Sequence, residues 1–166
     1  MCCILLFTLE KNSFEFKLME YLLKSKGFYH NKFGKPYLQK SNYYISVSYS
    51  SSVKVYAFCK MNLGIDIEIK EKINLEFIKS IFSIHERQYI LIDSNYSLER
   101  FYDIWTRKES YSKLLGIGLS KQLLRENIFK KKVQFQTISL IINERQYILN
   151  ICTKSGFDIL FLVIVL

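Results

Sequence analysis

Leu63-Gly64-Ile65-Asp66-Ile67-Glu68-Ile69 alternates apolar and acidic side chains along one short run. In an extended strand residues two apart share a face, so Asp66 and Glu68 project side by side while Ile65, Ile67 and Ile69 point inward. Two carboxylates about 4 Å apart repel by roughly 4 kcal/mol at an effective dielectric near 20, so a positive charge must sit with them. A Lys or Arg partner on an exposed sheet face would serve, and so would a hard divalent cation such as Mg²⁺, which prefers oxygen ligands. Taken alone, the run favours the basic side chain.

Upstream, Tyr44-Ile45-Ser46-Val47-Ser48 and Val53-Lys54-Val55-Tyr56-Ala57-Phe58 are β-branched and aromatic around a Ser50-Ser51-Ser52 turn. They read as two strands, and Leu63 to Ile69 is expected to end their sheet. Farther upstream, apolar residues between Phe14 and Ser25 recur every three or four positions and predict a helix closed by Gly27. Downstream, Asn74 is placed to cap a helix over Leu75 to Phe82, and Ser83 with Glu86 forms a capping box for a second helix through Leu91. A long helix follows over about Leu98 to Leu115, ended by Gly116 and Gly118. Alternation around Gln134–Ile142, Gln146–Ile151 and Phe157–Val165 predicts three more strands. The fold class is therefore α+β: two small antiparallel sheets with packed helices. The hexapeptide Glu86-Arg87-Gln88-Tyr89-Ile90-Leu91 recurs at Glu144–Leu149. It is too short to be a folding repeat, and it is read as helix the first time and strand the second.

The chain has 166 residues, 49% apolar and 23% charged, enough to bury a core without disulfides or metal staples. Twenty-four basic residues against 15 acidic ones leave +9, a balance that attracts polyanions of any kind. Cys2, Cys3, Cys59 and Cys152 make no CxxC pair, which points away from zinc sites and disulfide frameworks and towards a reducing, cytoplasmic setting. The apolar run Cys2 to Phe7 lacks a basic leader, and Phe157 to Leu166 is half the length that crosses a bilayer, so no membrane association is expected.

Three further stretches carry chemistry. In Trp105-Thr106-Arg107-Lys108-Glu109-Ser110-Tyr111-Ser112-Lys113, helical spacing stacks Trp105, Glu109 and Lys113 on one face. Surface Glu–Lys pairs at this spacing are common, but the shared face with the chain's one tryptophan turns this pair inward or into a cleft. Gly34-Lys35-Pro36-Tyr37-Leu38 is a turn presenting a lysine, and Val47-Ser48-Tyr49-Ser50 places hydroxyls at a strand end.

Taken in order, GKPYL, the Ser-x-Ser strand end, GIDIE and WTRKESYSKLLGIGLS resemble the blocks of the 4′-phosphopantetheinyl transferases, in particular the surfactin-synthetase-activating type. The resemblance spans about residues 25–125, with the C-terminal strands matching loosely. It implies the family's pseudo-twofold fold with an incomplete first half: a truncated N-terminal half-domain over 1–60 and a C-terminal half-domain with the metal site over 61–166. It also implies transfer of the phosphopantetheine arm of coenzyme A to a serine of an acyl or peptidyl carrier protein, with release of 3′,5′-ADP. By the same resemblance, Asp66, Glu68 and Glu109 hold Mg²⁺. Glu109 further acts as the base or positions a water, Lys113 assists the departing phosphate, and Lys35, Pro36, Ser48 and Tyr49 line the coenzyme A nucleotide.

Two departures follow. Tyr49 stands where the family usually has a histidine, which removes a positive charge from the nucleotide phosphate and implies weaker coenzyme A binding. The chain ahead of GKPYL is short, which implies that a first strand and the basic residues gripping the 3′-phosphate are missing. A monomer is expected, with oligomerisation as one way to cover an exposed sheet edge. Two alternatives stand beside transfer. One is an impaired homologue that binds coenzyme A or a carrier without transferring. The weaker one is a basic nucleic-acid module stacking bases on Tyr43, Tyr44, Tyr49 and Tyr56, which scattered charge and the absence of an RNA-binding motif argue against.

Overall fold

In the computed structural model, residues 2–9, 17, 21, 24–25, 27–156 and 158–161 are described. Strands β1 (Cys2–Leu9), β2 (Phe28–His30), β3 (Pro36–Leu38), β4 (Tyr44–Ser50), β5 (Val53–Cys59) and β6 (Leu63–Ile69) come first. Helices α1 (Leu75–Ile81), α2 (Ile84–Leu91), α3 (Ser97–Leu115) and α4 (Lys121–Arg125) follow, and β7 (Gln134–Ile142), β8 (Arg145–Thr153) and β9 (Asp158–Phe161) close the chain. The helix expected over residues 14–25 lies outside the described residues, apart from the helical positions Lys17, Tyr21, Lys24 and Ser25.

Local signals account for most boundaries. Asn74 accepts a hydrogen bond from the Glu76 amide at the start of α1. Ser83 and Glu86 form the reciprocal capping box of α2. Gly116, at φ 70°, ends α3 in the left-handed conformation that glycine adopts without steric cost.

The architecture is α+β, with a four-stranded sheet in the order β4-β5-β1-β9, a three-stranded sheet in the order β6-β8-β7, and the small β2-β3 pair. Two strand assignments differ from expectation. Leu63–Ile69 leaves the first sheet and pairs antiparallel with β8, Asp66 opposite Asn150. Asp158–Phe161 crosses back to lie parallel to β1 instead of completing the second sheet. A first strand is also present, because Cys2–Leu9 pairs with β5. Period-two patterning reports that a segment is extended and which face is buried, but it carries no information about which edge accepts it.

Packing explains the placement of β6. Ile65 and Ile67 share a core with Val53, Val55, Ala57, Leu149 and Ile151, so the isoleucine face of β6 seals the two sheets together. A second core under α3 gathers Ile78, Phe82, Ile90, Phe101, Ile104 and Ile148. The acidic face of β6 is thereby turned towards α3.

Candidate active site

Gly64 decides how closely α3 approaches. A Cβ at this position would lie 1.9 Å from the Ser110 carbonyl oxygen and 2.4 Å from the Leu114 nitrogen, so only glycine lets the helix backbone rest on the strand. The helix register is held by a polar tie that is buried at Ser110 and Asn150 and reaches the exposed Thr137. The Ser110 hydroxyl donates to Asn150 Oδ1 at 2.9 Å, Asn150 Nδ2 donates to Thr137 Oγ1 at 2.8 Å, and Thr137 donates to Asp103 Oδ1 at 2.9 Å. With α3 so placed, Glu109 and Lys113 stand over Asp66 and Glu68.

Lys113 Nζ reaches both Asp66 Oδ1 and Ser48 Oγ at 2.8 Å, and Ser48 donates its own hydrogen to Asp66 Oδ1 at 2.8 Å. Glu68 accepts from the Ser50 hydroxyl at 2.9 Å and from Trp105 Nε1 at 3.4 Å. Lys113 therefore pairs with the strand acid, and the tryptophan that marked the helix face reads the second one.

Electrostatics bind these groups into one unit. Burial pushes the Asp66 carboxyl above its usual range, against the pull of Lys113. Burial also raises Glu68, and the neighbouring charge of Asp66 adds to it. Glu109 rises from 4.5 to about 7, first through burial and then through the charge of Asp66, with Lys113 opposing and Glu68 adding a smaller push. Three carboxylates share one ammonium, so the site is short of positive charge. Asp66 Oδ2 is buried and has no hydrogen-bond partner. Among the described residues no three His, Cys, Asp or Glu side chains are gathered closely enough to form a metal cage as they stand. The donor chemistry nevertheless fits a hard cation: oxygen atoms only, one of them unclaimed, in a cluster deficient in positive charge.

A model of the 4′-phosphopantetheinyl transferase superfamily matches residues 62–158, which run from β6 through α3 to the start of β9. The chain belongs to this superfamily. Among curated relatives, it is 30% identical over 119 residues to the 4′-phosphopantetheinyl transferase gsp of Aneurinibacillus migulanus, covering 70% of this chain and 48% of that protein. It is 32% identical over 119 residues to the 4′-phosphopantetheinyl transferase Sfp of Bacillus subtilis, with the same coverage of 70% and 48%. The 4′-phosphopantetheinyl transferase pptA of Paxillus involutus is 39% identical over 71 residues, 35% of this chain and 27% of that one. The chain thus spans about half the length of the first two curated relatives.

In this superfamily member the expected nucleotide residues part company. Lys35 and Pro36 line a cavity of about 170 Å³ together with Ser46, Val47, Glu109, Ser112, Lys113 and the glycines that follow α3. The cavity is below the roughly 300–1,000 Å³ of a whole small-molecule site, so it is large enough for only part of a ligand. The Lys35 ammonium is committed to structure: it donates to Asn62 Oδ1 at 2.5 Å, to the Leu114 carbonyl at 3.0 Å and to the Leu63 carbonyl at 3.3 Å. Burial lowers its pKa from 10.5 to about 8. With Asn31 donating to the Gly116 carbonyl at 2.8 Å, Lys35 latches the GKPYL loop to the end of α3. Ser48 is spent on Asp66, Lys113 and the Ile67 amide. Tyr49 is 62% exposed on the opposite face of β4 and does not line the cavity.

Lys108, inside the same helical motif, serves the fold. Its side chain is fully buried, 2.8 Å from the equally buried Glu86, and it also donates to the carbonyls of Leu123 and Glu126. Sequence reasoning missed Gly64 as a contact point, and it missed Asn150 and Ser46 altogether. A glycine inside a strand and an asparagine between Leu149 and Ile151 were the available signals.

Proposed function

We propose that this chain transfers the 4′-phosphopantetheine arm of coenzyme A to a serine of an acyl or peptidyl carrier protein, with Mg²⁺ as cofactor and release of 3′,5′-ADP. The observation that carries the reading is Asp66, buried with one oxygen held by Ser48 and Lys113 and the other unclaimed, in a cluster with Glu68 and Glu109. Membership of the superfamily and the likeness to named transferases support it.

Asp66, Glu68 and Glu109 would hold Mg²⁺, which when bound supplies the positive charge that phosphate oxygens require during transfer. The remaining chemistry belongs to side chains. Glu109, on the helix face above the strand carboxylates, is placed to take the proton from the carrier serine directly or through a water. The serine oxygen then bonds the pantetheine phosphorus, the bridging P–O bond breaks, and 3′,5′-ADP departs. Lys113, paired with Asp66 and lining the cavity, would turn to a phosphate oxygen and stabilise that leaving group. Ser48, Ser50 and Trp105 hold the strand carboxylates in place for this work. The surplus of +9 speeds encounter with an acidic carrier. No described helix is long and apolar enough to cross a membrane, and a cytoplasmic setting with carrier and coenzyme A at hand completes the proposal.

The test is mass spectrometry of an apo carrier protein mixed with the chain, coenzyme A and Mg²⁺. A gain of one phosphopantetheine that disappears with Asp66→Ala or Glu109→Ala supports transfer. A second reading is binding without transfer, favoured by Tyr49, which stands where the resemblance gives a nucleotide-contacting histidine and does not line the cavity. It predicts thermal stabilisation by coenzyme A with no mass gain.

A further inference from the structure

β4 and β6 are edge strands of different sheets, yet they lie side by side. Three serines on one face of β4 bridge them. The amides of Ile65, Ile67 and Ile69 donate to the hydroxyls of Ser46, Ser48 and Ser50 at 3.0, 3.2 and 3.0 Å. Each hydroxyl replaces the carbonyl that a neighbouring strand would offer, so the outer edge of β6 is closed by side chains.

The ladder has a second regularity. Ser48 accepts from the Ile67 amide and gives its hydrogen to the carboxylate of Asp66, one residue earlier. Ser50 accepts from the Ile69 amide and gives its hydrogen to Glu68. Ser46 accepts from the Ile65 amide in the same way, but the residue one earlier is Gly64, which has no carboxylate. Ser46 is 2% exposed and lines the cavity beside Glu109 and Lys113.

We infer that the serines divide their labour: Ser48 and Ser50 are positioning residues that aim Asp66 and Glu68, and Ser46 is the rung whose hydroxyl hydrogen goes to the ligand in the cavity. The ligand contact rests on the coenzyme A reading above, whereas the ladder does not. The group Ser46 recognises is an anionic oxygen, since a buried O–H beside a lysine suits phosphate. Ser46 thus takes the hydroxyl contact that sequence resemblance gave to Ser48, whose oxygen and hydrogen are already committed.

Amide hydrogen exchange and ligand titration test the two limbs separately. In Ser46→Ala, Ser48→Ala and Ser50→Ala, the amide of Ile65, Ile67 or Ile69 respectively should exchange about tenfold faster, each variant affecting its own partner most. Ser→Thr at the same positions keeps the hydroxyl and serves where an alanine variant does not fold. Calorimetric titration with coenzyme A should show Ser46→Ala binding about tenfold more weakly and Ser46→Thr close to wild type. Unchanged exchange at all three isoleucines overturns the ladder. Wild-type affinity in Ser46→Ala overturns the ligand contact. A wild-type chain that does not bind coenzyme A removes that contact and the functional reading together, while the exchange data still decide the ladder.

Discussion

Replacing Glu109 with glutamine removes one of three clustered negative charges while keeping the size of the side chain. In the metal-free protein the Glu109 carboxyl rises from 4.5 to about 7, chiefly through burial and the charge of Asp66. A group whose folded pKa stands above its unfolded value binds its proton more tightly in the native state. Its stabilising contribution is therefore full below about pH 4.5 and lost as pH rises to about 7. That interval corresponds to about 3 kcal/mol. Glu109 is partly exposed, and solvent screening reduces the figure to about 1–2 kcal/mol. For a chain of this length the expected gain for Glu109→Gln is about 3–6 °C in Tm at pH 8, with no gain at pH 4.5. Thermal melts of both proteins across pH 4.5–8, with chelator present, read this directly. Added Mg²⁺ should then narrow the gap at pH 8 by stabilising the wild type more. Equal melting temperatures at pH 8, or the same gain at both ends of the range, would refute the claim that three carboxylates converge here.

Gly64→Ala should destabilise by about 3 kcal/mol or more in urea unfolding, because backbone atoms of α3 stand 1.9 and 2.4 Å from the added carbon; a loss below about 0.5 kcal/mol would mean that the helix is not seated on the strand. Lys108→Met should cost about 3–5 kcal/mol by leaving Glu86 buried and unpaired, and adding Glu86→Gln should recover part of the loss, measured as a double-mutant cycle. Tyr49→Ala should leave coenzyme A affinity near wild type, since the ring does not line the cavity; a marked drop in affinity would bring Tyr49 back into the nucleotide site.

Much of the site was legible because its residues come in short, rigidly periodic runs. Strand alternation put Asp66 and Glu68 on one face, and helical spacing put Trp105, Glu109 and Lys113 on another; both faces exist as read. What periodicity could not supply was the partner of each face. Lys113 sits beside Asp66, 47 positions away, because Gly64 and Asn150 seat α3 on β6. Lys35, which the resemblance placed at the nucleotide, lines the cavity and also latches its loop to the end of α3.

The repeated hexapeptide separates local from tertiary causes. Beginning at Glu86 it is helical, initiated by the Ser83 capping box, with Tyr89 37% exposed. Beginning at Glu144 it follows a turn in which Asn143 and Glu144 adopt φ of 49° and 62°, and Tyr147 is 1% exposed in the middle of a sheet. Identical side chains adopt both conformations because intrinsic propensities differ by less than about 1 kcal/mol per residue, so caps and turns at the ends and apolar burial choose between them. The sequence by itself determined the caps, the turns, the two acidic faces and the α+β class. Only the tertiary structure decided that β6 leaves the first sheet for the second, that serines close its free edge, and that the helix lysine pairs with the strand acid with Glu109 in electrostatic reach of both strand carboxylates, since each of these depends on contacts between segments far apart in the chain.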